Sequence, residues 1–184
     1  MPDIPIQVER GNLLAQWANR YAAPGSQQGG IGKNQSPLIT AAFGGLAQYG
    51  DAPSQPLTST PELIRGFETV VPTGDVLLPE NILSDTVDDF ILVFEPGLYQ
   101  VIGFINANVA SGGGYAIQLY RNQEPTGIVW TEDLSQQSTQ LTLTLTTIYA
   151  LEEGDLMQLY GSSDSATPLQ FDMYNSLFFI TRIR

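Results

Sequence analysis

From Gln140 to Leu151 the chain alternates with a period of two. Leu141, Leu143 and Leu145 fall on one side, Thr142, Thr144 and Thr146 on the other. Successive side chains of a pleated strand point to opposite faces, so this run predicts a β-strand with one apolar face. The same period predicts strands over 67–71, 90–94, 98–109, 115–121, 128–134 and 156–160. A short strand is expected within 76–83, and a closing stretch begins over 171–173 and resumes over 175–183. Turn chemistry separates these runs: Glu95-Pro96-Gly97, Ser111 to Gly114, Asn122 to Gly127, and Glu152-Glu153-Gly154-Asp155. About eight strands with no convincing helix predict an all-β fold, a jelly-roll β-sandwich spanning 66–184.

Two of these strands are apolar on both sides. The 98–109 strand carries Tyr99, Val101, Ile105 and Val109 on one face and Leu98, Ile102 and Phe104 on the other. The closing strand sets Leu177 and Phe179 against Phe178 and Ile180. Such strands need two burials, one inside the sandwich and one against covering loops or a neighbouring molecule. A neighbouring copy is the preferred reading, with Tyr99, Val101, Phe178, Phe179 and Ile180 as the candidate interface residues.

Residues 1–65 follow no such period. Ile4, Ile6 and Val8 alternate briefly. Asn12 is placed to cap a short helix whose apolar side is Leu13, Leu14, Trp17 and Tyr21, stopped by Pro24-Gly25. A Gly/Pro/Gln-rich run follows, punctuated by Pro37, Gly44, Gly45, Gly50, Pro53, Pro56 and Pro61. This composition favours extended, irregular backbone, either a linker or an arm that packs on a partner. Leu13, Leu14, Trp17 and Tyr21 have no core of their own, which favours the arm and makes them the candidate partner-binding residues.

Composition narrows the chemistry. The 184-residue chain has no Cys and no His. Ser-His-Asp and Cys-His machinery is therefore excluded, as are zinc sites built on imidazole or thiolate. Stability has to come from packing or oligomerisation. The net charge is −12, from 19 acidic and 7 basic residues, so nucleic acid and anionic membrane are poor partners. The charge is uneven: residues 1–65 are neutral, while beyond them Arg121, Arg182 and Arg184 are the sole cations. The opening MPDIPIQVERGNLL lacks a basic region and a long apolar run, so export by an N-terminal signal is not expected.

Several motifs recur together in order. They are Gly97-Leu98-Tyr99-Gln100-Val101, the Arg121-Asn122 turn, Leu151-Glu152-Glu153-Gly154-Asp155, and the closing Ser176-Leu177-Phe178-Phe179-Ile180. The set resembles the tumour-necrosis-factor-like jelly roll, which includes complement globular heads. The resemblance covers about residues 67–184 and implies a compact homotrimer packed around a threefold axis. Viruses of bacteria use similar trimeric heads. The chain is therefore expected to be a non-enzymatic structural virion protein, a bacteriophage capsid decoration (cement) protein. Its 1–65 arm would anchor a 66–184 trimerisation head to the major capsid protein or another virion protein on the capsid surface. The alternative is a receptor- or glycan-binding head of a phage tail or head appendage, meeting a host surface glycan.

Three residue groups invite a sharper chemistry. Asp85, Asp88 and Asp89 crowd one turn and are hard oxygen donors of the kind calcium takes, though Asp-rich turns are ordinarily solvated turns. Glu152, Glu153 and Asp155 are carboxylates of the kind glycosidases pair, but neighbours in a turn point apart. Tyr115, Tyr120 and Trp130 are aromatic enough to stack on sugars, yet strand aromatics ordinarily pack in cores or interfaces. No enzyme, metal or cofactor is expected.

Overall fold

The computed structural model describes residues 43–71, 82–110, 112–134 and 139–183. Eleven strands follow in chain order: β1 (Phe43–Asp51), β2 (Glu62–Leu63), β3 (Thr69–Val71), β4 (Ile82–Asp85), β5 (Phe90–Val93), β6 (Gly97–Val109), β7 (Gly114–Arg121), β8 (Glu124–Asp133), β9 (Gln140–Leu151), β10 (Leu156–Ser163) and β11 (Phe171–Arg182). No helix occurs among the described residues. One sheet has five strands in the order β3-β1-β11-β6-β9; the other has six, β4-β5-β10-β7-β8 with β2 also on β10. All pairings are antiparallel.

The sheets close on a core that alternation along each strand supplies. Leu141, Leu143 and Leu145 of β9 point inward beside Ala107, Ile105 and Gly103 of β6. Tyr99, Val101, Phe178 and Ile180 join them, and β7 and β10 add Ile117, Leu119, Met157 and Leu159 from the other sheet. Each of the larger side chains contributes about 1.5–3 kcal/mol when fully buried.

Residues 43–65, expected in the arm, belong to the sandwich. β1 lies between β3 and β11, with Leu46 abreast of Phe178 and Gly44 of Ile180. After Asp51 the chain crosses from one sheet to the other, tied by backbone hydrogen bonds from Ala52 to Thr58. Ala52 N donates to Met173 O at 2.8 Å, Leu57 N to Leu169 O at 2.9 Å, and Ser163 N to Thr58 O at 2.7 Å, before β2 joins β10. Leu57 and Ile64 are core residues. Glycine conceals β1 in the sequence for a steric reason. A Cβ at Gly44 would stand 2.7 Å from Ile82 Cγ2, and one at Gly45 only 2.4 Å from Phe178 O. Both positions lack room for a side chain, so the apolar period that announces other strands is absent here. The boundary therefore falls near residue 42; Leu13, Leu14, Trp17 and Tyr21 lie outside the described residues. β11 is also one strand rather than two. A bulge at Asn175, where φ is +40°, carries it past the interruption.

Candidate self-association face

The motifs of the sequence converge on one end of the sandwich and serve the fold. Asn122 and Gln123, both at positive φ, make the two-residue turn between β7 and β8. Asp155 closes the β9–β10 turn by accepting from Glu152 N through Oδ2 at 2.7 Å. Its Oδ1 accepts from Arg121 Nε at 3.1 Å and Asn122 Nδ2 at 2.8 Å. Gly154 N donates to Val93 O, and Tyr99 Oη to Glu95 O at 2.7 Å. Three turns are thus laced by the Asp155 carboxylate, by backbone acceptors and by one ion pair. Arg182 adds a pair to Glu95. The carboxylate of Asp155 is committed to this lacing, while Glu152 and Glu153 are exposed.

The acidic β4–β5 turn is likewise structural. Asp85 Oδ1 accepts from Val87 N and Asp88 N. Asp89 is buried and accepts from Phe67 N at 3.2 Å, tying the turn to the segment that enters β3. Burial pushes its carboxyl up to about 6; the hydrogen bonds from Phe67 and Gly66 and the charge of Arg65 oppose the shift.

Of the sugar-stacking candidates, Tyr115 is buried and donates to Gln170 O at 3.1 Å. Trp130 is half-buried against the core. Tyr120 alone stands on an outer face.

The feature left for function is the outer face of the five-stranded sheet. Register sets its side chains in rows. Gly45, Phe179, Ile102 and Thr146 lie abreast; so do Ala47, Leu177, Phe104 and Thr144, and Phe43, Thr181, Gln100 and Ile148. Leu98 stands beside Ala150 at the end of β6. Phe104 is 37% exposed and Ile148 61%. The Phe179 ring reaches over Gly45, whose absent Cβ would lie 2.9 Å from its Cδ2, and meets the Phe43 ring at a centroid distance of 6.1 Å. None of these rows carries a charged residue; Asp51 and Asp172 stand only at one end of the face.

A polar cluster bounds the apolar rows at that end. Thr142 Oγ1 donates to Asn106 Oδ1 at 2.8 Å, Asn106 Nδ2 to Asn175 O at 2.9 Å, and Gly50 N to Asn175 Oδ1 at 3.0 Å. The cluster is satisfied within the chain and fixes β1, β6, β9 and β11 to one another.

The interface residues expected from the sequence divide accordingly. Tyr99, Val101, Phe178 and Ile180 face the sandwich core and are fully buried within one chain, so they are unavailable to a neighbour. Phe179 is on the outer face, where it stands with Leu98, Ile102, Phe104, Leu177 and Ile148. The sequence contained the signal for this. Thr142, Thr144 and Thr146 mark the outer side of β9, and the β6 residues abreast of them must point outward too.

No protein-family model matches the chain, and no curated protein sequence matches it. Among solved structures it is similar to Eiger TNF from S. frugiperda, with a TM-score of 0.57 at 10% identity over 78% of this chain and 94% of that one. It is also similar to rabbit GITRL, with a TM-score of 0.45 at 16% identity over 76% of this chain and 94% of that one. At such identities the likeness concerns the fold alone, and with the strand order above it establishes that the chain folds as a tumour-necrosis-factor-like jelly roll.

Proposed function

We propose that the protein is a non-enzymatic structural protein whose heads associate as homotrimers through the outer face of the five-stranded sheet. The carrying observation is that face: apolar rows across four strands, partly open to water, with no charge among them. The occupant that suits it is a second copy. Residues 1–42 hold Arg10, Arg20 and Lys33 against Asp3 and Glu9, so they carry +1 and residues 43–184 carry −13, for the chain's total of −12. Copies of so acidic a head repel across any charged surface and approach most cheaply where carboxylates are absent.

The setting we propose is a virus particle, with the trimer decorating a capsid and residues 1–42 as the attaching segment. Two features support it. The segment is close to neutral and offers Leu13, Leu14, Trp17 and Tyr21 for burial on a shell protein. Three such segments per trimer would make attachment multivalent. The test is to add the full chain, and the chain beginning at residue 43, to particles stripped of this protein. Decoration by many copies over the shell, lost on removing 1–42, is the expected result. Attachment of a few copies at the tail would replace decoration with adhesion, and undiminished decoration by the shortened chain would remove the segment from the account.

A further inference from the structure

On the opposite side of the molecule, the outer face of the six-stranded sheet carries a square of four side chains. β7 and β10 pair so that Tyr120 lies abreast of Gln158 and Tyr160 abreast of Gln118. Tyrosine and glutamine therefore alternate at the corners. The two tyrosine rings bridge the diagonal, stacked with centroids 3.9 Å apart and planes 17° from parallel, and both residues keep part of their surface in water.

Gln158 is the odd member. It is only 6% exposed, and its buried Oε1 has no hydrogen-bond partner. An unpaired buried acceptor is costly, and an apolar residue of similar volume would serve a purely structural role better. The neighbours on β7, β8 and β10 are neutral, and on the β2 side Leu63 lies abreast of Tyr160 and the charge of Arg65 reaches that ring. Ser162 and Ala116 continue the face beyond Gln118, with Gln118 Nε2 3.5 Å from Ser162 Oγ, and Val129 and Thr131 flank it on β8. In a head so rich in carboxylates, none stands among these residues.

Aromatic rings, amides and hydroxyls with one flanking cation and no carboxylate suit one class of ligand. A basic peptide would want carboxylates and be repelled by Arg65, and an anion would want more than one exposed cation. A sugar presents an apolar ring face for an aromatic platform and hydroxyls for amides. We propose that this Tyr–Gln square binds a neutral glycan, with a sugar ring packed on Tyr120 and a sugar hydroxyl donating to Gln158 Oε1. Because that oxygen is buried in the free protein, the ring pair has to part for the hydroxyl to reach it. The site uses the sheet that self-association leaves free, so the two readings fail separately.

The experiment is calorimetric titration of the full chain with three neutral hexasaccharides that differ in linkage or in the 2-substituent: maltohexaose, cellohexaose and hexa-N-acetylchitohexaose. Each is taken to about ten times a Kd of 1 mM. At least one is expected to bind and to change the near-ultraviolet circular dichroism of the tyrosine pair. Gln158→Met should weaken that binding about tenfold without lowering the melting temperature. Tyr120→Ala should abolish it, and Tyr120→Phe, which keeps the ring, should retain it. If Gln158→Met does not fold, Gln118→Leu carries the same comparison. The proposal is overturned if none of the three sugars binds, or if binding survives Gln158→Met (or Gln118→Leu) and Tyr120→Ala within twofold.

Discussion

The outer faces of the two sheets are built from the same kind of strand and differ in what they leave unfinished. On the five-stranded sheet, Phe104, Ile102, Leu177 and Phe179 form contiguous apolar rows, and the nearby polar groups of Asn106, Asn175 and Thr142 satisfy one another. What that face lacks is cover. On the six-stranded sheet the exposed centre is amide and phenol, and Gln158 holds an unpaired acceptor. What that face lacks is a hydrogen-bond donor. A missing cover calls for another protein surface; a missing donor calls for a polar ligand. On the two proposals above, one sandwich would offer two separate kinds of interaction.

The comparison breaks most completely if the first face is not built as described. That face depends on β1, which binds β3 and β11 together. Removing residues 1–51 should abolish the cooperative melting transition, whereas removing 1–42 should leave the β-sheet circular dichroism unchanged.

Next in size is a charge on each face. Phe104→Glu would place three carboxylates in a dry trimer contact and should raise its dissociation constant by about a thousandfold or more, since an uncompensated buried charge costs about 3–5 kcal/mol. Val129→Glu, on the six-stranded sheet, should leave the association unchanged in the same light-scattering assay.

A smaller effect is expected at Gly45. Its Cβ would meet Phe178 O and displace the Phe179 ring, so Gly45→Ala should lower unfolding free energy by about 1–3 kcal/mol in urea titrations. Gly50→Ala, where no atom lies within 4 Å but φ is +95°, tests backbone strain alone and should cost about 1 kcal/mol.

The smallest effect concerns Asp89 and both faces equally. Its carboxyl rises from the ordinary 3.8 to about 6 in the fold, so folding favours the protonated form. That contribution is fully present below about pH 4 and is lost as pH rises through 6. Asp89→Asn keeps an acceptor for Phe67 N without the buried charge. It should stabilise the head at pH 7 by about 1 kcal/mol after solvent screening, with the gap to the parent protein closing toward pH 4.

Much of the fold was legible because strands with one buried face announce themselves. The Leu/Thr alternation of β9 and the turn at Gly154-Asp155 both landed where the sequence put them. β1 was not legible, because close backbone approach at Gly44 and Gly45 removes the side chains that a period is read from. The proposed self-association face was half legible. Apolarity on both sides of β6 and β11 pointed to an apolar outer face, but Tyr99 and Phe104 are equally apolar in a sequence, and only the register against Thr144 says which points outward. Neither did sequence show the Tyr–Gln square, since Tyr120 and Gln158 are brought abreast by a pairing between strands 38 residues apart in the chain.

Sedimentation equilibrium of the full chain tests the central claim most directly. The chain mass is 20.0 kDa, so a homotrimer weighs about 60 kDa, and Phe104→Glu should return it to 20.0 kDa while Val129→Glu does not. A parent protein that stays at 20.0 kDa across the micromolar range, or a trimer indifferent to Phe104→Glu, would contradict the assignment of the five-stranded face to self-association.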